Sequence, residues 1–507
     1  MEEILADFIV VGGGTAGCIV AARLAEYGFK TLLLSSGSND TTNLLIKQKS
    51  LFTELLQASH LKHYLPHMPL PNLNNRTLNL IVWNSLGGSS INWGGMERMM
   101  KSECDLFVNA SGDQSFSFEH MSLYYKKVEN FTTTAPFPVD GIHGDNGPIH
   151  MIHVDEPAFS RVWKKVADEL GETFSDDLAG SIDYGFSFEP SSFVNELRSW
   201  SASEYLIPAL DQYPNLTMIT GATVTKLNVN PITKHIDSLL FVSSNGCFRA
   251  VAQKEYILSA GTFFSPHLLL LSGVGDPELL ELNNIPVKHI LKQVGKNLTD
   301  NGVVTVEYQT KGLPVGQCIP IALVNRQVKT TDTNADLFFV LQMDHATEHL
   351  YILIFNGLPK SRTGSISLYN ANPLVPPKVT LNYLDDEKDI EAFIDGINYM
   401  RRVMSTNAIE ESAKVTEISP GLQERNLDSY IRNTLEPAHH FIGTCSMGQD
   451  AETSVVNKDF KVHGLDNLRI VDASVFPTGF VSKAGPCLTV YALAEKAADV
   501  LKQEYSR

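Results

Sequence analysis

Two short segments at opposite ends of the chain carry residues whose types and spacing could do chemistry. Near the start, Gly12, Gly14 and Gly17 make a G-x-G-x-x-G turn between an apolar run, DFIVV at 7–11, and the helical pattern CIVAARLAEYG. The first glycine permits a tight turn, the second lets the backbone approach a pyrophosphate, and the third brings helix and strand close. Phosphate charge then rests on the helix N-terminus, so Thr15 and Ala16 join the same cradle. Near the other end, His440 stands in a His-x-x-Gly-Thr segment with Gly443 and Thr444. A neutral imidazole accepts a proton near neutral pH. A dinucleotide turn combined with such a histidine implies a flavin enzyme.

The elements that must position these groups begin with a second strand, Lys30 to Leu34. It should end in a carboxylate for ribose hydroxyls about 20 residues beyond the glycines. Ser35, Ser36 and Gly37 stand there instead. A serine hydroxyl still offers one hydrogen bond, without the charge that makes the usual pair strong. Ser35 is therefore the expected, weaker, ribose contact.

The chain has 507 residues, 43% hydrophobic and 19% charged, enough for two to three cores of ordinary globular character. A formal net charge of −17 argues against a nucleic-acid partner. Six widely separated cysteines with no C-x-x-C suggest mostly buried thiols rather than a metal site or a disulfide framework. The first strand begins by Asp7, leaving no room for a secretory leader, so a cytoplasmic location is expected. Sequons at Asn75, Asn130 and Asn297 then read as chance. Tyr256 to Gly275 lacks Asp, Glu, Lys and Arg, but Gly261, Pro266, His267 and Gly273 break it into strand, turn and helix, so no membrane span is expected.

Strand and helix patterns alternate at 7–34, which starts an α/β sheet. Further on, GPIHMIHV (147–154) and SISLYNAN (365–372) look like antiparallel strands. Helical periodicity covers Asp389 to Met404, with the acidic run 385–387 at its start. The last helix is expected over Leu488 to Leu501, where four alanines suit close packing.

The segment Gly261 to Gly275, GTFFSPHLLLLSGVG, resembles the second signature of the glucose-methanol-choline (GMC) flavoprotein oxidoreductases. The matching positions are Gly261, Thr262, Ser265, Pro266, Leu268, Leu269, Ser272, Gly273, Val274 and Gly275. NSLGGSSIN (84–92) resembles the first signature, and VGKNLTDN (294–301) the turn that follows the second. HFIGTCSMG (440–448) resembles the catalytic segment, and LRIVDASVFPT (468–478) a flavin-contacting strand. The resemblance spans nearly the whole chain. It implies an α/β fold with a Rossmann-like FAD-binding domain from residues 1–100, 206–300 and 431–507. Residues 101–205 and 301–430 would form an inserted α+β substrate domain on an antiparallel sheet.

Residue by residue, the resemblance puts Gly12, Gly14 and Gly17 at the pyrophosphate and Gly88, Ser89 and Asn92 beside the isoalloxazine. It puts Val224 at the adenine, and Asp472 with Ala473 at the ribityl and phosphate end. It makes His440 the base that takes the hydroxyl proton of an alcohol while hydride leaves for flavin N5. His439 is expected to be structural, since adjacent side chains usually point apart.

Three departures follow from the same alignment. The family's second residue, Asn or His, falls on Gly485, which has no side chain to stabilise a developing alkoxide. Losing one such donor costs about 10² to 10³ in rate, and Lys483, two residues earlier, is the candidate substitute. The first signature is one residue short. Its position for a covalently linked histidine holds Ile91, so noncovalent FAD is expected. The acceptor would be O2 or another oxidant, and no metal is expected. Two other readings stand beside alcohol oxidation: a lyase like the hydroxynitrile lyases of the family, and a degenerate member kept for binding or structure.

Overall fold

The computed structural model describes residues 3–134, 141–154, 157–177, 184–313, 320–324, 336–344, 347–482 and 485–506. Its first sheet starts where the sequence is most apolar. Strand β1 (Glu3–Val11) runs into helix α1 (Thr15–Glu26) and returns as β2 (Thr31–Leu34), parallel to β1 with Phe8 opposite Thr31. The other strands are β3 (Leu216–Ile219), β4 (Thr223–Val229), β5 (Ile236–Ser243), β6 (Gly246–Leu258) and β7 (Leu468–Ile470), in the order β3-β2-β1-β6-β5-β4. The long β6 pairs antiparallel with β5 through its first half and parallel with β7 through Tyr256–Leu258. Residues from three distant parts of the chain thus meet in one sheet.

Helix α1 is buried along most of its length and packs on the last helix of the chain, Cys487–Tyr505. Ala492, Ala494, Ala497 and Ala498 are all buried and let the two helices approach. Glu495, fully buried between them, bonds Arg23 at 2.7 Å and Lys127 at 3.0 Å. A carboxylate so deep is tolerated because both partners are cations held in hydrogen-bond geometry.

A second sheet is antiparallel throughout, in the order 414–419, 302–311, 349–356, 337–344, 320–324, 185–188. Side chains alternate along it with period two. Leu337, Phe339 and Leu341 join the core beneath the helix Glu387–Met404, whereas Phe338, Val340 and Phe355 form a smaller cluster on the opposite face.

Several sequence expectations need correction. The strand Ile149–His153 pairs with Glu129–Thr133 in parallel, not antiparallel. The antiparallel strand expected at 365–372 is present but shorter: Ser365–Ser367 is antiparallel to Lys378–Thr380. Pro266 does not break its segment but lies inside the helix Gly261–Leu271. Proline has no N–H, so the carbonyl four residues back, on Thr262, lacks its helical donor. The Thr444 hydroxyl donates to it instead, at 2.5 Å. Cys247 is exposed and Cys487 half-buried, while Cys18, Cys104 and Cys445 are buried. Cys318 lies outside the described residues. Among the described residues no helix is long and apolar enough to cross a membrane.

Candidate functional site

A cavity of about 560 Å³ runs from the glycine turn of α1 to the His439–His440 pair. At its first end the lining is largely backbone. Gly12 has φ +108°, and a Cβ there would lie 2.3 Å from the Ser259 carbonyl oxygen, so only glycine fits. Gly14 is different. A Cβ there would meet only Ser259 O at 3.8 Å and Gly88 Cα at 4.0 Å, so no protein atom demands glycine, and the backbone is bare toward the cavity.

Helix α1 has no side-chain cap and no acidic residue in its first turn. Its free N–H groups and positive dipole end are left for an anion. Thr15 and Ala16 line the cavity with Gly12 and Gly14, but Gly17 does not. A Cβ on Gly17 would fall 1.8 Å from the Gly12 carbonyl oxygen, so that glycine serves packing within the turn. Gly88, Ser89 and Asn92 line the cavity too, with Gly88 packed directly against Gly14.

Farther along this end lie Ser35, Ser36, Val224, Leu268 and Leu271. Ser35 is buried at the mouth of β2, its N–H bonded to Ile219 O at 2.9 Å. His267 lines the same part, and burial pushes its imidazole down to about 4. Asp472 and Ala473 line the middle. The Asp472 carboxylate accepts from Gly261 N at 2.9 Å, Ser265 Oγ at 2.6 Å and Ser474 N at 2.8 Å. It therefore ties the Gly261–Leu271 helix to the 470s segment, and its burial raises its pKa.

The residues fit a dinucleotide with a flavin. Bare glycine backbone and a free helix N-terminus suit a pyrophosphate, and apolar Val224 and Leu271 suit a flat base. The buried Ser259 hydroxyl, on the lining, finds no partner among the described residues.

The second end is built from ionisable side chains. His440 is carried by the segment that Thr262 and Thr444 fasten to the Gly261–Leu271 helix, where Thr262 Oγ1 donates to Phe441 O at 2.7 Å. Its ring stacks on Phe355, 5.9 Å between centroids and 8° between planes. Burial, and secondarily His439, push the His440 imidazole down to about 4, and Nδ1 has no partner among the described residues. His439, at φ +62°, lines the cavity as well rather than pointing away. Burial and then the Lys62 charge hold it near 4.

Asp300 sits behind this pair. Its carboxyl accepts from His440 N at 2.6 Å, Ala438 N at 3.1 Å and the Tyr383 hydroxyl at 2.5 Å. Burial raises it to about 7 despite those bonds.

Gly485 lies against His440 with φ +139°, and a Cβ there would be 3.6 Å from His440 Nε2. Lys483 lies outside the described residues. Glu97 was not singled out from the sequence, yet it lines the cavity at this point. Its nearness to Asn92 was the only available signal. Asp300 was missed as well, since a carboxyl in the VGKNLTDN turn carries no local sign of burial.

Residues 6–303 and 359–494 match the N-terminal and C-terminal models described as GMC oxidoreductase. The chain belongs to the GMC oxidoreductase family. It is thus an oxidoreductase of the class acting on CH–OH donors, in a family of FAD-binding flavoproteins. The chain is similar to an oxygen-dependent choline dehydrogenase of Klebsiella pneumoniae, 27% identical over 98% of this chain and 96% of the relative. It is 28% identical to one from Acinetobacter baumannii, over 98% of this chain and 96% of that protein. In fold, this GMC oxidoreductase resembles a formate oxidase (TM-score 0.88, 21% identity, covering 100% and 99% of the two chains). It also resembles a pyridoxine 4-oxidase from Mesorbium loti (TM-score 0.87, 24% identity, 99% of each chain).

Proposed function

We propose that this GMC oxidoreductase oxidises an alcohol to the corresponding carbonyl compound, with His440 as the base. One observation carries the reading: an unprotonated imidazole faces the cavity beside Gly485, at the end opposite the phosphate cradle. Because burial holds His440 near 4, Nε2 is free to accept a hydroxyl proton at neutral pH. Phe355 fixes the plane of the ring, and Asp300 fixes the backbone that carries it. When bound, FAD would supply the acceptor for the hydride that leaves the same carbon.

The residues that would hold FAD are Gly12, Gly14, Thr15 and Ala16 at the pyrophosphate, with Gly17 shaping that turn. Ser35 would meet the ribose, Val224 the adenine, Gly88, Ser89 and Asn92 the flavin ring, and Asp472 and Ala473 the linking chain. The binding is noncovalent, because Ile91 stands where a linking histidine would be and is buried in the core. The FAD-binding domain comprises 1–100, 206–300 and 431–507, and the substrate domain 101–205 and 301–430. Named relatives that act on alcohols, the choline dehydrogenases and a fungal aryl-alcohol oxidase of similar fold, support the substrate class.

The test is an anaerobic titration of the flavin-loaded protein with a panel of primary and secondary alcohols. Bleaching of the flavin band by one of them is expected. Failure of every alcohol in the panel overturns the reading, and cleavage of a cyanohydrin without bleaching replaces it with a lyase. Acid precipitation should release FAD into the supernatant, and a flavin that stays with the pellet overturns noncovalent binding.

A further inference from the structure

The segment that follows Asn92 puts a carboxyl where the missing side chain of Gly485 would act. Residues 93–98 lie along 189–193: Met96 N bonds Pro190 O at 2.9 Å, and Ser192 N bonds Gly94 O at 2.7 Å. A Cβ on Gly95 would fall 2.0 Å from Glu189 Oε1, so glycine at 95 is what lets Glu189 press against this strand. Glu97 is thereby delivered to the cavity with Glu189 directly behind it. The position a Cβ of residue 485 would occupy is 3.7 Å from Glu97 Oε2 and 3.6 Å from His440 Nε2. The two groups face each other across the space of one small functional group.

We propose that Glu97 is the second catalytic group of the reaction: its carboxylic acid, facing His440 across the space left by Gly485, donates a hydrogen bond to the substrate oxygen. The inference rests on the alcohol-oxidising reading of the same site. As the hydroxyl proton passes to His440 Nε2, negative charge grows on the oxygen. The C–H bond would break with both electrons leaving as hydride, for which FAD, when bound, would be the acceptor, and the C=O bond would form. The Glu97 proton stays on Glu97 throughout, and its hydrogen bond strengthens as the charge develops.

The surroundings explain why Glu97 keeps that proton. It is enclosed, and the carboxyl behind it is Glu189; burial first and Glu189 second raise its pKa well above the ordinary range. Two carboxyls in contact cannot both ionise cheaply. Burial raises Glu189 as well, but Trp93 Nε1, donating at 3.0 Å, and the Lys49 charge oppose that rise, so it is the better carboxylate of the two. The adjacent cation cannot help Glu97: Arg98 is turned away into Glu129, at 2.8 and 2.5 Å. Among the described residues, the other titratable groups facing Glu97 are Cys487, itself raised by burial, and His440, which is neutral.

The experiment uses the FAD-loaded protein and two readouts. Infrared difference spectra, wild type minus Glu97→Gln, should show a protonated-carboxyl stretch at neutral pH that shifts when trifluoroethanol, an alcohol resistant to oxidation, is added. Anaerobic flavin reduction should slow about 10² to 10³-fold in Glu97→Ala with the flavin spectrum intact. It should stay within about tenfold of wild type in Glu97→Gln, whose amide still donates. Wild type should also lose rate at alkaline pH as Glu97 ionises, and Glu97→Gln should not.

Absence of the carboxyl band overturns the proposal, since an ionised Glu97 would suit a cationic group and not an alkoxide. Flavin reduction in Glu97→Ala as fast as in wild type also overturns it. If no alcohol reduces the wild-type flavin, the alcohol-oxidising reading fails separately, and the trifluoroethanol shift alone decides for or against Glu97 as donor.

Discussion

The two ends of the cavity are made from different materials. The cradle at Gly12–Ala16 is backbone: bare amides, a helix start without a cap and glycines that admit close approach. The end at His440 is made of buried acids and imidazoles, Glu97, Glu189, Asp300 and His439, each moved from its ordinary pKa by enclosure. Backbone donors cannot titrate, so the first end holds a fixed charge preference at any pH. The second end is tuned by burial and can be retuned by a single substitution. Binding is thus entrusted to atoms that mutation cannot remove, and chemistry to atoms that it can.

The sharpest way to test that division is His440→Ala, expected to lower the rate of flavin reduction about 10² to 10⁴-fold while the flavin spectrum stays in place. Stopped-flow absorbance checks both. At the opposite end, Gly14→Val should put methyl groups into the cradle and weaken FAD binding about 10²-fold, measured by fluorescence titration of the stripped protein. If the variant binds as well as wild type, the cradle is not where the phosphates lie, and the contrast between the ends disappears.

Thr444→Val should cost about 1–3 kcal/mol of stability, because it leaves the Thr262 carbonyl buried without a donor. Urea unfolding followed by circular dichroism reads that loss. A smaller effect is expected from pH at Asp300. Its folded pKa, about 7, lies above the unfolded value of 3.8, so between those values the folded protein holds a proton that the unfolded chain has released. The stability it contributes is fully present below the unfolded value and is lost as pH rises through about 7. The melting-temperature advantage of wild type over Asp300→Asn should shrink between about pH 4 and pH 7 and level off above that. Last, Ser35→Glu should tighten FAD binding by up to about tenfold if a ribose lies there, since it restores a charged acceptor.

The same contrast decides what could be read from sequence. The cradle is contiguous, so strand, glycines and helix appear as one pattern at 7–27, and Ser35 follows at the end of the next strand. His440 was accessible through the spacing to Gly443 and Thr444. Glu97 was not, because its importance comes from Glu189, ninety-two positions later, and from the emptiness at Gly485. Asp300 is similar: a carboxyl in a turn looks solvated until Tyr383 and the 438–440 backbone close over it. Pro266 misled for a related reason. Read locally it stops a helix, but the hydroxyl that repairs the helix belongs to Thr444, far along the chain. Period and spacing reveal local geometry, whereas a pKa belongs to whichever segments happen to converge.

The contact between α1 and the last helix has a consequence for how the protein is made. Arg23 and Glu495, paired at 2.7 Å, are separated by 472 positions. At ribosomal speeds of 5–20 residues per second, roughly 25 to 95 s pass between synthesis of the two. Residues 202–212 can cover part of α1 midway through that interval, but the face that Cys487–Tyr505 covers waits until its end. The first sheet and its helices therefore reach their full packing only after residues 487–505 have been made.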